Sequence, residues 1–260
     1  MKTRIVLGDT HGQWQAIKDI YDKENPDEVI LLGDYCDSFE YTSQEILNCW
    51  NNIRELQKNH NGLFYLIMGN HDWHYINPNE RYSGYSRETW VMMHNLLEDA
   101  WKNHELHIAY IDNINRTVYS HAGITNTWIN DWGNPPIDEL DRINEDALGF
   151  SHAKMYDIYG DSVWQGPLWV RPTSLIEDMY NDDIFNEGYH WTQIVGHTRT
   201  KNGKPILVDS NHNILQESLQ ESNDGDNIIL WVIDTIPKYY IRETLNDGDV
   251  LVKRELVKNS

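Results

Sequence analysis

Cationic side chains are scarce in this 260-residue chain: 21 Lys and Arg stand against 41 Asp and Glu, for a formal net charge of −20. So acidic a surface repels nucleic acid and anionic membranes unless a local field overrides it, so neither is an expected stable partner. Cysteine is nearly missing. Cys36 and Cys49 build no disulfide framework, and both are expected as free thiols. No apolar run approaches the roughly 18 residues of a membrane span. Before the first cluster of polar residues only Ile5-Val6-Leu7 is apolar, too short for a secretory signal, so a cytoplasmic location is expected. Internal repeats of solenoid period are lacking as well. The length suits one large domain, taken as residues 1–260, with room for a sizeable core.

Against these absences stand five short motifs rich in Asp, His, Gly and Asn. They are Gly8-Asp9-Thr10-His11-Gly12, Gly33-Asp34-Tyr35-Cys36-Asp37, Gly69-Asn70-His71-Asp72, Ser120-His121-Ala122-Gly123 and Val195-Gly196-His197-Thr198. Each ends a run of β-forming residues: 4–7, 28–32, 64–68, 117–119 and 193–195. Open α/β sheets bind ligands just outside the carboxyl ends of their strands. Oxygen and nitrogen donors brought there from several strands can converge on divalent metals.

Between the motifs, the N-terminal half alternates strand and helix, as in βαβ units. Trp14, Ile17, Ile20 and Tyr21 fall at helical spacing after the first motif. After the second, Thr42-x-x-Glu45 predicts a capping box opening a helix with Ile46, Cys49, Trp50, Ile53 and Leu56 on one face. Trp90, Met93, Leu96, Leu97 and Trp101 form a third stripe, read as packing. The strand signal fades across a helical and loop insert at about 125–188, with a helix expected over 138–148 and a loop over 160–172. Strands return at 191–195, 205–209, 228–234, 239–243 and 250–256, and 216–227 reads as an exposed turn. Strands at both ends with a helical insert favour two facing sheets flanked by helices.

The ordered motifs resemble those of the calcineurin-like metallophosphoesterases, and within them the phosphoprotein-phosphatase type of bacteria, their viruses and eukaryotes. The match runs from Asp9 to at least His197. Gly-Asn-His-Asp alone would arise by chance in on the order of one such chain in a thousand, and the full ordered set is far rarer. The resemblance implies an α/β fold: a four-layer α-β-β-α sandwich, two facing mixed sheets with a dimetal site at strand C-terminal ends. It implies that Asp9 and His11 hold a first metal, that Asp34 bridges two, and that Asn70, His121 and His197 complete the second. A bridging carboxylate suits this because each oxygen can take one cation, and an Asn carbonyl adds a donor without cancelling charge. Such ions lie about 3.5–4 Å apart and turn bound water into a hydroxide that attacks phosphorus in line. Carboxylate, amide and imidazole donors admit Mn, Fe, Zn or Mg, with Mn the expected pair. Two divalent ions, two aspartates and a hydroxide leave the pocket near about +1, enough to draw a phosphate into an acidic protein.

His71 is implied as the acid that protonates the leaving oxygen, oriented by Asp37, and Arg171 as a phosphate clamp after the insert. A guanidinium can bind two phosphate oxygens at once. Two positions depart from the family pattern. Ser38 stands where many members carry a phosphate-gripping Arg, and Arg199 stands where phosphodiesterase and nuclease relatives carry a second His. The latter favours monoesters or dinucleotides over nucleic acid. His60, His94, His104, His107, His152, His190 and His212 have no motif context and are read as structural, while His74 borders the pocket. Trp73, Tyr75, Trp128, Trp132 and Trp169 flank motif loops and are expected as an aromatic rim that could stack a base.

The expected activity is therefore a metal-dependent phosphatase acting on phosphomonoesters, with phosphoserine or phosphothreonine proteins as candidate substrates. The alternatives are a hydrolase of dinucleoside polyphosphates or other nucleotides, and a catalytically inactive scaffold on the same fold.

Overall fold

Among the described residues, ten strands in two five-stranded sheets form the centre of the protein. A computed structural model of the chain describes residues 1–77, 79–131, 143–144, 161–179, 191–200, 202–215 and 228–259. In the first sheet β1 (Lys2–Leu7), β2 (Glu28–Leu31) and β3 (Leu63–Leu66) run parallel. Helices α1 (Trp14–Glu24) and α2 (Ser43–Asn59) make the two crossovers, as βαβ units require. The antiparallel strands β9 (Tyr239–Leu245) and β10 (Leu251–Lys258) extend this sheet beside β1, giving the order β10-β9-β1-β2-β3.

The second sheet has the order β4-β5-β6-β8-β7. It contains β4 (Ala109–Asp112), β5 (Thr117–Ser120), β6 (Thr192–Val195), β7 (Ile206–Asp209) and β8 (Ile228–Val232). Its centre, β5-β6-β8, is parallel and its edges antiparallel. Both sheets are mixed.

Side chains alternate across each strand and sort the core into layers. Ile5, Leu7, Val29 and Leu31 face outward and pack with Ile17 and Ile20 of α1 and Cys49, Trp50 and Ile53 of α2. Val6, Ile30 and Leu32 face inward, onto Tyr119, Ile194 and Trp231 of the second sheet. That sheet's other face, with Val195, Val208 and Leu230, is covered by Leu175. Leu175 belongs to α6 (Pro172–Met179), which follows α5 (Asn126–Asp131) in chain order. The layers are therefore helix, sheet, sheet, helix, as expected.

The capping box at α2 is present, with Glu45 N donating to Thr42 Oγ1 at 3.3 Å and Thr42 N to Glu45 Oε2 at 2.8 Å. Helix α4 (Arg87–Lys102) buries Met93, Leu97 and Trp101, but Leu96 is exposed rather than packed. It sits one residue round from Leu97, on the edge of the buried stripe. Two elements were not anticipated. Strand β4 is a four-residue edge strand, and the third motif itself winds into the short helix α3 (Asn70–Ile76). Pro172 ends the expected 160–172 loop by opening α6, where its missing N–H costs nothing. The helix expected over 138–148 and the turn over 216–227 lie outside the described residues, apart from 143–144.

Away from the motif ends, the sheets are tied by buried charge. Arg4 donates from Nε to Glu28 at 2.7 Å, and from Nη1 to Asp112 at 2.8 Å and Glu243 at 3.1 Å. Glu243 also accepts from Tyr119 at 2.8 Å and from Arg254 at 2.6 Å. Among the described residues no helix is long and apolar enough to cross a membrane. Cys36 and Cys49 are both free and buried.

Candidate metal centre and acid pair

The five motif loops meet at the carboxyl ends of the strands and are knitted to one another through backbone. His11 N donates to Asp34 O at 2.7 Å, Thr10 N to Gly33 O at 3.0 Å, and Gly196 N to His121 O at 2.8 Å. Three site residues have left-handed backbone: His11 (φ 42), Asp34 (φ 55) and His197 (φ 61). Each such residue costs on the order of 1–3 kcal/mol, and such outliers gather where a side chain must be aimed.

Six side chains predicted as ligands converge. His11 Nε2 lies 3.5 Å from Asp34 Oδ2 and 3.9 Å from Asp9 Oδ2. Across Asp34, its Oδ1 is 3.5 Å from His121 Nε2. Asn70 Oδ1 is 2.8 Å from His121 Nε2 and 2.9 Å from His197 Nδ1, and those two ring nitrogens are 3.1 Å apart. Asp34 thus stands between an Asp9–His11 side and an Asn70–His121–His197 side. Close approach matters at Gly196, where a Cβ would come within 2.1 Å of Asp9 Oδ1.

This donor set fits two divalent cations. Three imidazoles, two carboxylates and an amide oxygen point at common centres instead of at separate partners. His121 Nδ1 donates to Leu32 O at 2.7 Å and His11 Nδ1 to Asp37 O at 2.6 Å, which leaves each Nε2 lone pair facing inward. Burial pushes His121 below the usual imidazole range and His197 well below it, toward the neutral form that ligation requires. Asp9 is pushed up by burial and by the neighbouring negative charges of Asp234 and Asp34. Burial acts upward on Asp34 too, but His121, His71, His11 and His197 outweigh it and hold that carboxylate below its ordinary value.

Beside these groups lies a second cluster. Asp37 Oδ2 is 2.8 Å from His71 Nδ1 and 2.8 Å from His74 Nε2, and Oδ1 accepts from the Tyr75 hydroxyl. Burial acts downward on His71, yet Asp34 and the Asp37 hydrogen bond carry it up to about 9. A ring with that value holds its proton at neutral pH. Gly84 covers the pair: its φ is +90, and a Cβ there would meet Asp37 Oδ2 at 2.8 Å. Asp72 has a different task, accepting backbone N–H groups from Asp34, Tyr35, Cys36 and Gly69.

Several expectations need correction. Trp73, Tyr75, Trp128 and Trp169 are buried, so they build core and acid-pair support rather than an accessible rim. Trp132 lies outside the described residues. The aromatic rings at the mouth are Phe39, 90% exposed, and Tyr41. Arg171 Nη1 donates to His197 O and Thr198 Oγ1, both at 3.3 Å, which sets it against the candidate ligand His197 and apart from the described lining of a cavity of about 340 Å³ that opens over His11 and His71. Arg199 and Asp234 do line it. Asp234 was missed although its signal has the form of the motifs: a carboxylate directly after the apolar strand run 228–233. His74, Tyr75 and Asp72 follow Gly69-Asn70-His71 on a helix whose first turns they complete.

Two facing mixed sheets with a polar, metal-ready cluster at their strand ends define a phosphoesterase fold and site. The calcineurin-like phosphoesterase family model matches residues 3–251, and the chain belongs to that family. It is accordingly a metal-dependent hydrolase of phosphoester bonds, acting on a phosphorylated substrate. No curated protein matches it significantly by sequence. Among solved structures, it is similar to the cold-active protein-tyrosine phosphatase of a psychrophilic Shewanella species, at 18% identity and a TM-score of 0.58. That match covers 99% of this chain and 81% of the other. A protein serine/threonine phosphatase from Saccharomyces cerevisiae matches at 15% identity and a TM-score of 0.54, over 100% of this chain and 80% of that one. At these identities the likeness is one of fold.

Proposed function

We propose that this chain is a dimetal phosphomonoesterase in one domain spanning residues 1–260, with phosphoserine or phosphothreonine proteins among its candidate substrates. Asp9, His11 and Asp34 would hold one cation, and Asp34, Asn70, His121 and His197 the other, with Mn²⁺ the expected metal. Two such ions would supply the water activation and charge neutralisation of a two-metal hydrolase. The observation that carries this reading is the His71–Asp37 contact at 2.8 Å directly beside the six-residue donor cluster. His71 N donates to Asp34 Oδ1 at 2.9 Å, so the acid and the bridging carboxylate are fixed in one frame.

His71 then delivers its proton to the departing ester oxygen, while Asp37 keeps the ring turned and stabilises its protonated form. His74 and Tyr75 act through Asp37. With Oδ1 accepting from Tyr75 and Oδ2 from His71, and His74 Nε2 2.8 Å from Oδ2, that carboxylate has one orientation. One arginine among the described residues lining the cavity favours one phosphate group over the several of a dinucleoside polyphosphate. An inactive scaffold would be expected to have lost donors, whereas all six residues are in place.

The test is hydrolysis by metal-stripped protein with Mn²⁺ restored, against an aryl phosphomonoester, an aryl phosphodiester, a phosphothreonine peptide and diadenosine tetraphosphate. Monoester and peptide turnover is expected. Preference for the dinucleotide would replace this reading with the nucleotide one, and no turnover with any of Mn²⁺, Fe²⁺, Zn²⁺ or Mg²⁺ would leave the scaffold.

A further inference from the structure

The family-pattern cation at position 38 is missing, and Ser38 is committed elsewhere. Its hydroxyl oxygen accepts the backbone N–H groups of Glu40 at 3.1 Å and Tyr41 at 3.3 Å, shaping the loop that carries Phe39 to the mouth. Arg171 is engaged with the backbone and hydroxyl of 197–198. Among the described residues that line the cavity, a phosphate therefore meets one permanently charged cation, Arg199.

The guanidinium of Arg199 is anchored but not spent. Its Nε lies 3.8 Å from Asp234 Oδ1, outside hydrogen-bond range, and it makes no hydrogen bond among the described residues. Asp234 is 4% exposed, and that same Oδ1 has no hydrogen-bond partner. A buried carboxylate thus attracts the arginine from below and leaves its N–H donors available. The side chain is 56% exposed and borders the cavity with His11 and His71 on its lining. A phosphate dianion offers the paired acceptor oxygens that such a fork binds bidentately.

We propose that Arg199 is the phosphate-gripping residue of this chain, held at the cavity by Asp234 and supplying from the loop after β6 the charge missing at Ser38. The inference rests on the phosphomonoesterase reading above and names the recognition element of that site. Its ligand is the phosphoryl group itself, so free phosphate competes for the same place. Charge-assisted hydrogen bonds of this kind contribute about 10- to 100-fold in affinity.

The full-length, Mn²⁺-loaded protein is compared as wild type, Arg199→Gln, Arg199→Lys, Arg171→Gln and the double variant Arg199→Gln with Ser38→Arg. Calorimetry reads inorganic phosphate binding, an aryl phosphomonoester gives KM and kcat, and elemental analysis gives the metal content. Arg199→Gln is expected to weaken phosphate binding and raise KM about 10- to 100-fold with metal content unchanged. Arg199→Lys should retain part of the affinity, as a point charge without the fork, and the added Ser38→Arg should restore part of it. Unchanged phosphate binding in Arg199→Gln overturns the proposal, as does a loss seen in Arg171→Gln and not in Arg199→Gln. Arg199-dependent phosphate binding by a protein that hydrolyses no ester would uphold it and remove the hydrolase reading instead.

Discussion

The carboxylate of Asp72 accepts the backbone N–H of Asp34 at 2.9 Å, so the residue proposed to bridge two metals is held in place by a residue outside the proposed ligand set. The same carboxylate takes Gly69 N at 2.8 Å, Tyr35 N at 2.7 Å and Cys36 N at 3.1 Å. It staples the second motif to the third. Asp72→Asn puts an amide NH₂ against N–H donors and leaves at least one of these buried groups without an acceptor. Loss of about 1–3 kcal/mol per orphaned N–H is expected. Thermal denaturation of metal-free protein should show a lower Tm. Calorimetry should also show weaker Mn²⁺ binding, since Asp34 is no longer held at its positive φ. An unshifted Tm would mean the staple is dispensable.

The His71–Asp37 pair makes a second expectation, with its sign set by the causes of the shift. His71 is raised from 6.5 to about 9 against the effect of burial, by Asp34 and by its bond to Asp37. In metal-free protein its imidazole should titrate by NMR near 9, and Asp37→Asn should lower that value. A folded-state pKa raised in this way contributes stability that is complete below the unfolded value of 6.5 and lost as pH rises through about 9. In the loaded enzyme His71→Asn should cut turnover by about 10²–10⁴ for esters with poor leaving groups. The loss should shrink for leaving groups that need no proton. Equal losses for both would remove the acid role.

Gly84 and His74 test the same pair from outside the motifs. Gly84→Ala forces a Cβ to 2.8 Å from Asp37 Oδ2 at a φ of +90. His74→Phe removes the imidazole nitrogen that lies 2.8 Å from that oxygen while filling the buried space. Both variants should lower kcat on poor leaving groups and leave Mn²⁺ stoichiometry unchanged. A fall in metal content instead would place their effect on the metal frame.

These residues mark where sequence legibility ended. The motifs were readable because each follows a run of β-forming residues, and a strand end is a physical address for a ligand. The sheets' layering was readable from alternation, as in Ile5-Val6-Leu7. Strand β4 was not: Ala109-Tyr110-Ile111-Asp112 is short, and its Asp112 is paired to Arg4 on a distant strand. The Arg4–Glu28–Asp112–Glu243–Arg254 network joins five strands far apart in sequence, and no local pattern encodes such pairing. The expected tryptophan rim failed for a related reason. Proximity to a motif in sequence does not distinguish a ring facing the cavity from one packed behind it.

That network supplies a stability prediction independent of the active site. Arg4 and Arg254 bring two positive charges to the three carboxylates of Glu28, Asp112 and Glu243, all buried. Arg4→Met leaves Glu28 and Asp112 without that cation in a low-dielectric layer. Breaking a buried pair by removing one partner costs about 3–5 kcal/mol. Urea denaturation should show a midpoint lowered to match, with residual folded protein retaining Mn²⁺ binding. An unchanged midpoint would mean that water reaches the inter-sheet layer.

Metal removal gives the most direct view of the cluster. Asp9, Asp34 and Asp234 are buried together, and Asp9 is pushed up by burial and by the negative charge of the other two. Cations bound between the two aspartates and the imidazoles would relieve that repulsion in the folded state alone. Ligand at 100 times its dissociation constant stabilises by about 2.7 kcal/mol per site. Adding Mn²⁺ to stripped protein should therefore raise Tm in a concentration-dependent way. Asp34→Asn removes the proposed shared charge and should abolish most of that gain along with turnover. In the metal-free protein the same change should lower Tm, because the surrounding imidazoles hold the Asp34 carboxylate below its ordinary value and its ionised form stabilises the fold. The Mn²⁺ response therefore separates a metal-bridging Asp34 from one that merely packs: a structural Asp34 would lower the metal-free Tm when neutralised and leave the Mn²⁺ response intact.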